Sequence, residues 1–223
     1  MPEVATIYSY KASGAPLGMS VYLLSYDDGY KVEKIDTFTD ALIYGGYSMR
    51  VSGRNGMRYR AGINNTFKTN LRTTGVNGYK LQELGVVAIT EKNYASHPIV
   101  IGEDKTSTSK TFYYESSTKI KDTILQNDTA TGICYFSAFF EDMPVKAYQM
   151  PMVTRSYMKV QKDGKVYTIY SAPYSKAMYV LAGQVLQAGE FAREPEKEDY
   201  LRKIISDADE YAEANPATSE ASN

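Results

Sequence analysis

Three arginines, Arg50, Arg58 and Arg60, carry the most concentrated chemistry that spacing alone reveals in this 223-residue chain. Tyr47, Met49 and Val51 alternate with Ser48, Arg50 and Ser52; beyond Asn55-Gly56, Met57, Tyr59, Ala61 and Ile63 alternate with Arg58, Arg60 and Gly62. Successive side chains of a strand point to opposite faces, so this pattern puts the three guanidinium groups on one face of a hairpin and the apolar set on the other. A helix would scatter them around its circumference. Three like charges left together repel, so something acidic should meet them. The favoured expectation is pairing within the chain, with Glu83 and Glu141 as candidate partners for Arg50 and Arg58. The functional alternative is an open face that binds an anionic ligand such as an acidic polysaccharide.

Groups suited to acid–base or nucleophilic work are sparse. His97 is the sole histidine and sits in Ser96-His97-Pro98, which removes multi-histidine metal sites and most histidine-based triads. The sole cysteine, Cys134, lies in the apolar run Ile133-Cys134-Tyr135-Phe136, so it reads as a buried packing residue, and no internal disulfide can form. Asp207-Ala208-Asp209-Glu210 is superficially like a calcium loop, but Tyr211 and Ala212 stand where the motif needs an oxygen ligand and a glycine; a solvated helix face is expected. The neighbouring carboxylates Glu141-Asp142 and Glu103-Asp104 cannot be set at glycosidase spacing from sequence, so a two-carboxylate hydrolase ranks third among the functional readings. Neither a phosphate-cradling glycine loop nor a Gly-x-Ser-x-Gly elbow occurs. No catalytic, metal or cofactor residue is assigned, and Asn64-Asn65-Thr66 and Asn127-Asp128-Thr129 match the glycosylation pattern, which is so short that chance produces it and the matches carry no weight.

Tyrosine is the outstanding feature of composition: 21 tyrosines and no tryptophan. Strand propensity accounts for most of them. A row such as Tyr22, Tyr26 and Tyr30, or the pair Tyr113 and Tyr114, could offer a stacking platform to sugars or a contact surface to protein.

The elements that must position these groups are mostly strands. Asp28-Gly29, Asn55-Gly56, Asn77-Gly78 and Asp163-Gly164 tolerate positive φ and mark turns. Strands are expected in the hairpin from Val21–Tyr26 to Tyr30–Ile35, in the arginine hairpin, and at Tyr79–Thr90, Lys110–Tyr114, Ile133–Phe140, Thr154–Val160 and Lys165–Tyr170. Glu103–Lys110 reads as a loop, and Asn65–Thr73 and Thr118–Leu125 as places for a short helical turn. Met178, Leu181, Ala182, Val185 and Leu186 recur at helical spacing, predicting a helix from Ser175, as its cap, to Ala188, ended by Gly189. Pro195 opens a second, with Tyr200, Leu201, Ile204, Ile205, Ala208 and Tyr211 as its apolar stripe, ending near Ala214; Glu198 with Arg202 and Asp199 with Lys203 are set for i,i+4 pairs. The fold class is therefore mainly β, sandwich-like and antiparallel, with C-terminal α-helices. Residues 1–40 read as an N-terminal hairpin segment, 41–190 as the main β-rich domain closing with a helix, 191–214 as an amphipathic helix and 215–223 as a tail or linker.

The 25 basic and 26 acidic side chains nearly cancel, which argues against nucleic acid as a partner. No stretch has the roughly 18 to 20 apolar residues that a membrane-spanning helix needs, so membrane insertion is not expected.

The segment Gly46-Tyr47-Ser48-Met49-Arg50-Val51-Ser52-Gly53-Arg54-Asn55-Gly56-Met57-Arg58-Tyr59-Arg60-Ala61 resembles a β-rich accessory domain of poorly defined function found in large multidomain surface and secreted proteins of Firmicutes. That family pairs a small-aromatic-Ser-hydrophobic-Arg strand with a glycine turn and a hydrophobic-Arg-aromatic strand. Leu81–Ala88, with Leu84 where the family has an aromatic residue, is similar too, as are Thr154–Val160, Val166–Ser171 and Tyr174-Ser175. The likeness spans roughly Tyr44 to Leu186; the Tyr22–Ile35 hairpin falls outside it and looks like the end of a preceding Ig-like module. The resemblance implies an extracellular or cell-surface location and a non-catalytic accessory or interaction role. Expected partners are other domains of a parent surface protein, or a protein or glycan ligand, without a cofactor. A carbohydrate-binding module using surface tyrosines is the runner-up.

Overall fold

Strands organise the chain, and every strand pairing among the described residues is antiparallel. The computed structural model describes residues 3–10, 16–25, 31–94, 113–118 and 126–216. Strands β1 (Glu3–Tyr10), β2 (Pro16–Ser25) and β3 (Lys31–Lys34) form a three-stranded sheet in that order. Strand β1 has no counterpart in the sequence reading, whereas β2 and β3 are the expected first hairpin; its turn, with Tyr26 and Tyr30, lies outside the described residues, as do His97 and the expected loop 103–110. A 3₁₀ turn at Asp36–Phe38 then buries Phe38.

The arginine hairpin is β4 (Ile43–Arg50) and β5 (Gly56–Asn64), with Met57, Tyr59, Ala61 and Ile63 buried as the alternation requires. Helix α1 (Asn65–Thr73) follows at once, because the Asn64 side chain accepts the Phe67 N–H at 3.0 Å and caps it. A full helix thus stands where sequence offered a short turn. Asn77 and Gly78 both have positive φ and close a tight turn between Val76 and Tyr79 that leads into β6 (Lys80–Thr90). After the short α2 (Glu91–Tyr94) comes β7 (Tyr113–Thr118), which contains Tyr113 and Tyr114 of the strand expected at Lys110–Tyr114, whose first three residues lie outside the described residues; Thr118 is extended, pairing with Leu84, and the rest of the helical turn expected at Thr118–Leu125 lies outside the described residues too.

Strands β8 (Gln126–Asp128) and β9 (Ile133–Glu141) join β4 and β5 in a four-stranded sheet ordered β4-β5-β9-β8. Strands β10 (Met152–Lys162), β11 (Lys165–Tyr170) and β12 (Tyr174–Lys176) join β6 and β7 in a five-stranded sheet, ordered β11-β10-β6-β7 with β12 also on β10. Asp163 and Gly164, both at positive φ, supply the β10–β11 turn.

Ser175 is not a helix cap: it lies in β12, pairs with Val153 and donates to Glu91 Oε1 at 2.9 Å. Helix α3 (Met178–Ala188) therefore starts three residues later than its apolar spacing suggested, and Gly189 ends it in the left-handed conformation. Helix α4 (Pro195–Ala214) has the expected bounds. Glu198 pairs with Arg202 as expected, but Lys203 turns forward to Asp207 at 2.8 Å instead of back to Asp199. Both spacings are i,i+4, and the forward one takes Lys203 to a less exposed carboxylate.

The inner faces of the two larger sheets share one core. Tyr59, Ile63, Phe136 and Phe140 from the four-stranded sheet cluster with Leu84, Val86, Met158 and Val160 from the five-stranded sheet, and Val21, Ile35 and Phe38 join them. Leu181, Val185, Leu201, Ile204 and Ala208 seal it with α3 and α4. Hydroxyls tie the sheets across this core: Tyr47 meets Thr154 Oγ1 at 2.5 Å and donates to the Tyr174 carbonyl at 3.0 Å. The Tyr59 hydroxyl lies near Ser156 and Ser171 but is buried without a hydrogen-bond partner among the described residues, and Tyr44 stacks on Tyr174 at 3.9 Å. Burial raises the pKa of both Tyr47 and Tyr59, so both stay protonated.

Cys134 is buried, as expected. Its thiol accepts from the buried Lys68 ammonium at 3.2 Å, and Lys68 also donates to Asn127 Oδ1 at 3.4 Å.

Candidate binding face of the four-stranded sheet

The outer face of the four-stranded sheet gathers the predicted arginines and adds aromatic residues that sequence reading did not single out. In β5, register sets Arg58 between Ser48 of β4 and Phe139 of β9, and Arg60 opposite Ser137. Gly56 stands between Arg50 and Glu141. Because Gly56 has no side chain, Arg50 reaches across it to form an ion pair with Glu141. A β-carbon at Gly56 would lie 1.9 Å from the Phe140 carbonyl oxygen, so glycine is required there. Arg54 adds a second cation to this corner, 3.2 Å from Asp142 and 3.7 Å from Glu141.

Only one of the two expected carboxylates serves this face. Glu141 neutralises Arg50, but Glu83 lies on β6 in the other sheet, where it accepts from the Tyr157 hydroxyl at 2.5 Å and from Lys159 at 3.2 Å. Tyr157 and Lys159 flank it because β10 is the neighbour of β6. Arg58 instead donates through Nε to Ser48 Oγ at 3.1 Å and has no carboxylate partner among the described residues. Ser48 uses a single edge of that guanidinium, so its terminal nitrogens stay available for an acceptor.

A bulge positions Arg60. The β4–β5 register slips by one residue between Tyr44 and Tyr47, where Gly45 and Gly46, the latter at φ +90°, together oppose Arg60. A β-carbon on Gly45 would sit 2.8 Å from the Arg60 carbonyl oxygen and 3.0 Å from Arg60 Cγ, so its absence lets the arginine lie flat. Arg60 then donates to the Gly45 carbonyl at 3.3 Å and covers the Tyr135 ring at 4.4 Å. Arg60 also favours ionisation of Asp128, whose pKa is lowered chiefly by the hydroxyl and N–H of Thr131.

Beside Arg58, Phe139 is 45% exposed. A cleft of about 340 Å³ runs from Ser48, Arg50, Arg58 and Phe139 to Val185, Glu190 and Phe191 at the end of α3. It has an arginine-bearing wall, an apolar wall and one carboxylate, Glu190. Phe139 and Tyr135 were legible in principle, since Ile133, Tyr135, Ser137, Phe139 and Glu141 share one parity of β9 while Cys134, Phe136, Ala138 and Phe140 are buried. What sequence lacked was the knowledge that β9 pairs with β5.

Of the tyrosines singled out earlier, those that are described belong to other sheets. Tyr22 is half-buried on β2 in a different sheet, and Tyr26 and Tyr30 lie outside the described residues. Tyr113 and Tyr114 pair through their backbones with Ile89 and Ala88. Asp207, Asp209 and Glu210 lie on α4, as expected for a solvated helix face, and among the described residues no group of three or more His, Cys, Asp or Glu side chains could hold a metal ion. Among the described residues no helix is long and apolar enough to cross a membrane. Comparison with protein-family models, with curated proteins and with solved structures found no match.

Proposed function

We propose that the chain is a non-catalytic interaction module whose outer four-stranded face receives an acidic segment of a protein partner. One observation carries this reading: Arg58 is held by Ser48, has no carboxylate partner among the described residues, and sits against the exposed ring of Phe139. Arginine and aromatic residues side by side are the composition that protein interfaces favour, and a carboxylate binds the open edge of a guanidinium bidentately. Protein is favoured over glycan because sugars need bare ring faces, and the Tyr135 ring is covered by Arg60. The resemblance to accessory domains of bacterial surface and secreted proteins supports the same role and suggests a neighbouring domain as partner.

Interferometry against a display library of Asp/Glu-rich peptides, each with one aromatic residue, and against sulfated oligosaccharides tests the reading. Selected acidic peptides should bind wild type, weaken with salt, and lose affinity with Arg58→Ala and with Phe139→Ala. Binding that both substitutions leave intact removes the face from consideration. Tighter binding of the oligosaccharide replaces the protein partner by a glycan.

A further inference from the structure

A second cavity, at the end of the molecule where β9 leaves the four-stranded sheet and β10 enters the five-stranded one, encloses about 670 Å³. Its lining is mainly apolar: Phe140, Met143, Met150 and Met152, with the half-exposed ring of Tyr211 from α4. Methionine side chains are unbranched and polarizable, so such a floor adapts to a flexible chain better than one of branched residues. The volume lies within the range of small-molecule sites.

Charge at the cavity is unbalanced in one direction. Glu141 is held by Arg50 and Arg54, and Asp142 by Arg54, so both acidic lining residues are already neutralised. Lys92 of α2 and Lys146 of the 3₁₀ turn Val145–Ala147 also line it, are exposed, and have no carboxylate partner among the described residues. An apolar floor with two unneutralised ammonium groups complements an amphipathic anion. A neutral or cationic ligand would leave those charges unmet.

We propose that this cavity binds a medium-chain carboxylate, with its tail on Phe140, Met143, Met150 and Met152 and its head group at Lys92 and Lys146. This site meets the arginine face only at the Glu141-Asp142 corner, and its test does not depend on any protein partner. Titration calorimetry on the whole chain would use dodecanoate below its micelle concentration, with decanoate, dodecanol and dodecyltrimethylammonium as comparisons. Dodecanoate should bind saturably at one site. Decanoate should bind about tenfold or more weakly, since each buried methylene contributes about 0.8 kcal/mol. Dodecanol and the ammonium amphiphile should both be weaker than dodecanoate.

Lys92→Ser and Lys146→Ser, surface changes that spare the core, should each weaken dodecanoate up to about fivefold. Methyl NMR locates the site: of the nine methionines, Met143, Met150 and Met152 should show the largest shifts on titration. The proposal is overturned by absence of saturable dodecanoate binding, by equal affinity for the ammonium amphiphile, by a double lysine variant that binds as wild type does, or by methionine shifts that fall elsewhere.

Discussion

The two larger sheets share a core but treat their outer faces in opposite ways. The four-stranded sheet alternates strictly along β9, with Cys134, Phe136, Ala138 and Phe140 buried and Phe139 and Glu141 exposed. The five-stranded sheet is buried on both sides: Val87, Ile89, Val153 and Tyr157 form a second apolar cluster behind the main core. There Glu83 is met by Tyr157 and Lys159, and the Tyr157 ring lies over Gly85 on the neighbouring strand. On the four-stranded sheet the cations Arg58 and Arg60 have serine, carbonyl and ring partners in place of carboxylates. A covered face must satisfy its charges from within, because an unpaired buried charge is costly; a solvated face tolerates the surplus. That surplus is what a partner can use.

The sharpest way to break this contrast is to truncate one aromatic side chain on each outer face, Tyr157 on one and Phe139 on the other. Tyr157→Ala, at a fully buried position, should cost about 3 to 5 kcal/mol in urea unfolding. Phe139→Ala should stay within about 0.5 kcal/mol. Equal losses would mean that the two faces are equally structural. Next come the carboxylates. Glu83→Ala strands the Tyr157 hydroxyl and Lys159 at a site where Glu83 is 13% exposed, and should cost about 1 to 3 kcal/mol. Glu141→Ala, one-third exposed, should cost about 1 kcal/mol or less.

Alkaline titration probes the seam that both sheets share. The pKa values of Tyr47 and Tyr59 are raised by burial, so above the ordinary tyrosine value of about 10 the unfolded chain releases protons that the folded chain retains. Their contribution is complete below that pH. It then declines as pH rises, by about 1.4 kcal/mol per pH unit for each tyrosine. Unfolding midpoints measured between about pH 9 and 11 should fall steeply past 10. A flat profile would show that neither hydroxyl is desolvated. The smallest effects belong to the arginines: Arg50→Ala should lower stability by about 0.2 to 1 kcal/mol through loss of the half-exposed pair with Glu141, and Arg58→Ala by less. A larger loss for Arg58 would assign that residue a structural partner and weaken the binding reading.

Much of the architecture was legible because period and turn chemistry are local. The arginine hairpin, the Asn77-Gly78 and Asp163-Gly164 turns, β10 with β11, and α4 all follow from residues close in sequence. What failed depended on pairing at a distance. Tyr174-Ser175 looks like a helix entry until β10 is there to receive it as β12. Glu83 looks like an arginine's partner until its strand is assigned to the other sheet. Lys68 beside Cys134 links α1 to β9 across a sequence separation of 66, which no window of sequence discloses. On the outer face of the four-stranded sheet the arginines were visible from parity within one hairpin, while Phe139 needed the β5–β9 register.

The Gly45–Gly46 bulge has a further effect, on how copies of this protein can meet. Strand β4 is an outermost strand of its sheet, and a straight outermost strand offers a row of unpaired amides and carbonyls onto which another chain can add. The bulge interrupts that row partway along β4, and α3 packs against the same strand. Sheet-to-sheet growth into fibres is thereby disfavoured at the side of the molecule nearest the arginines.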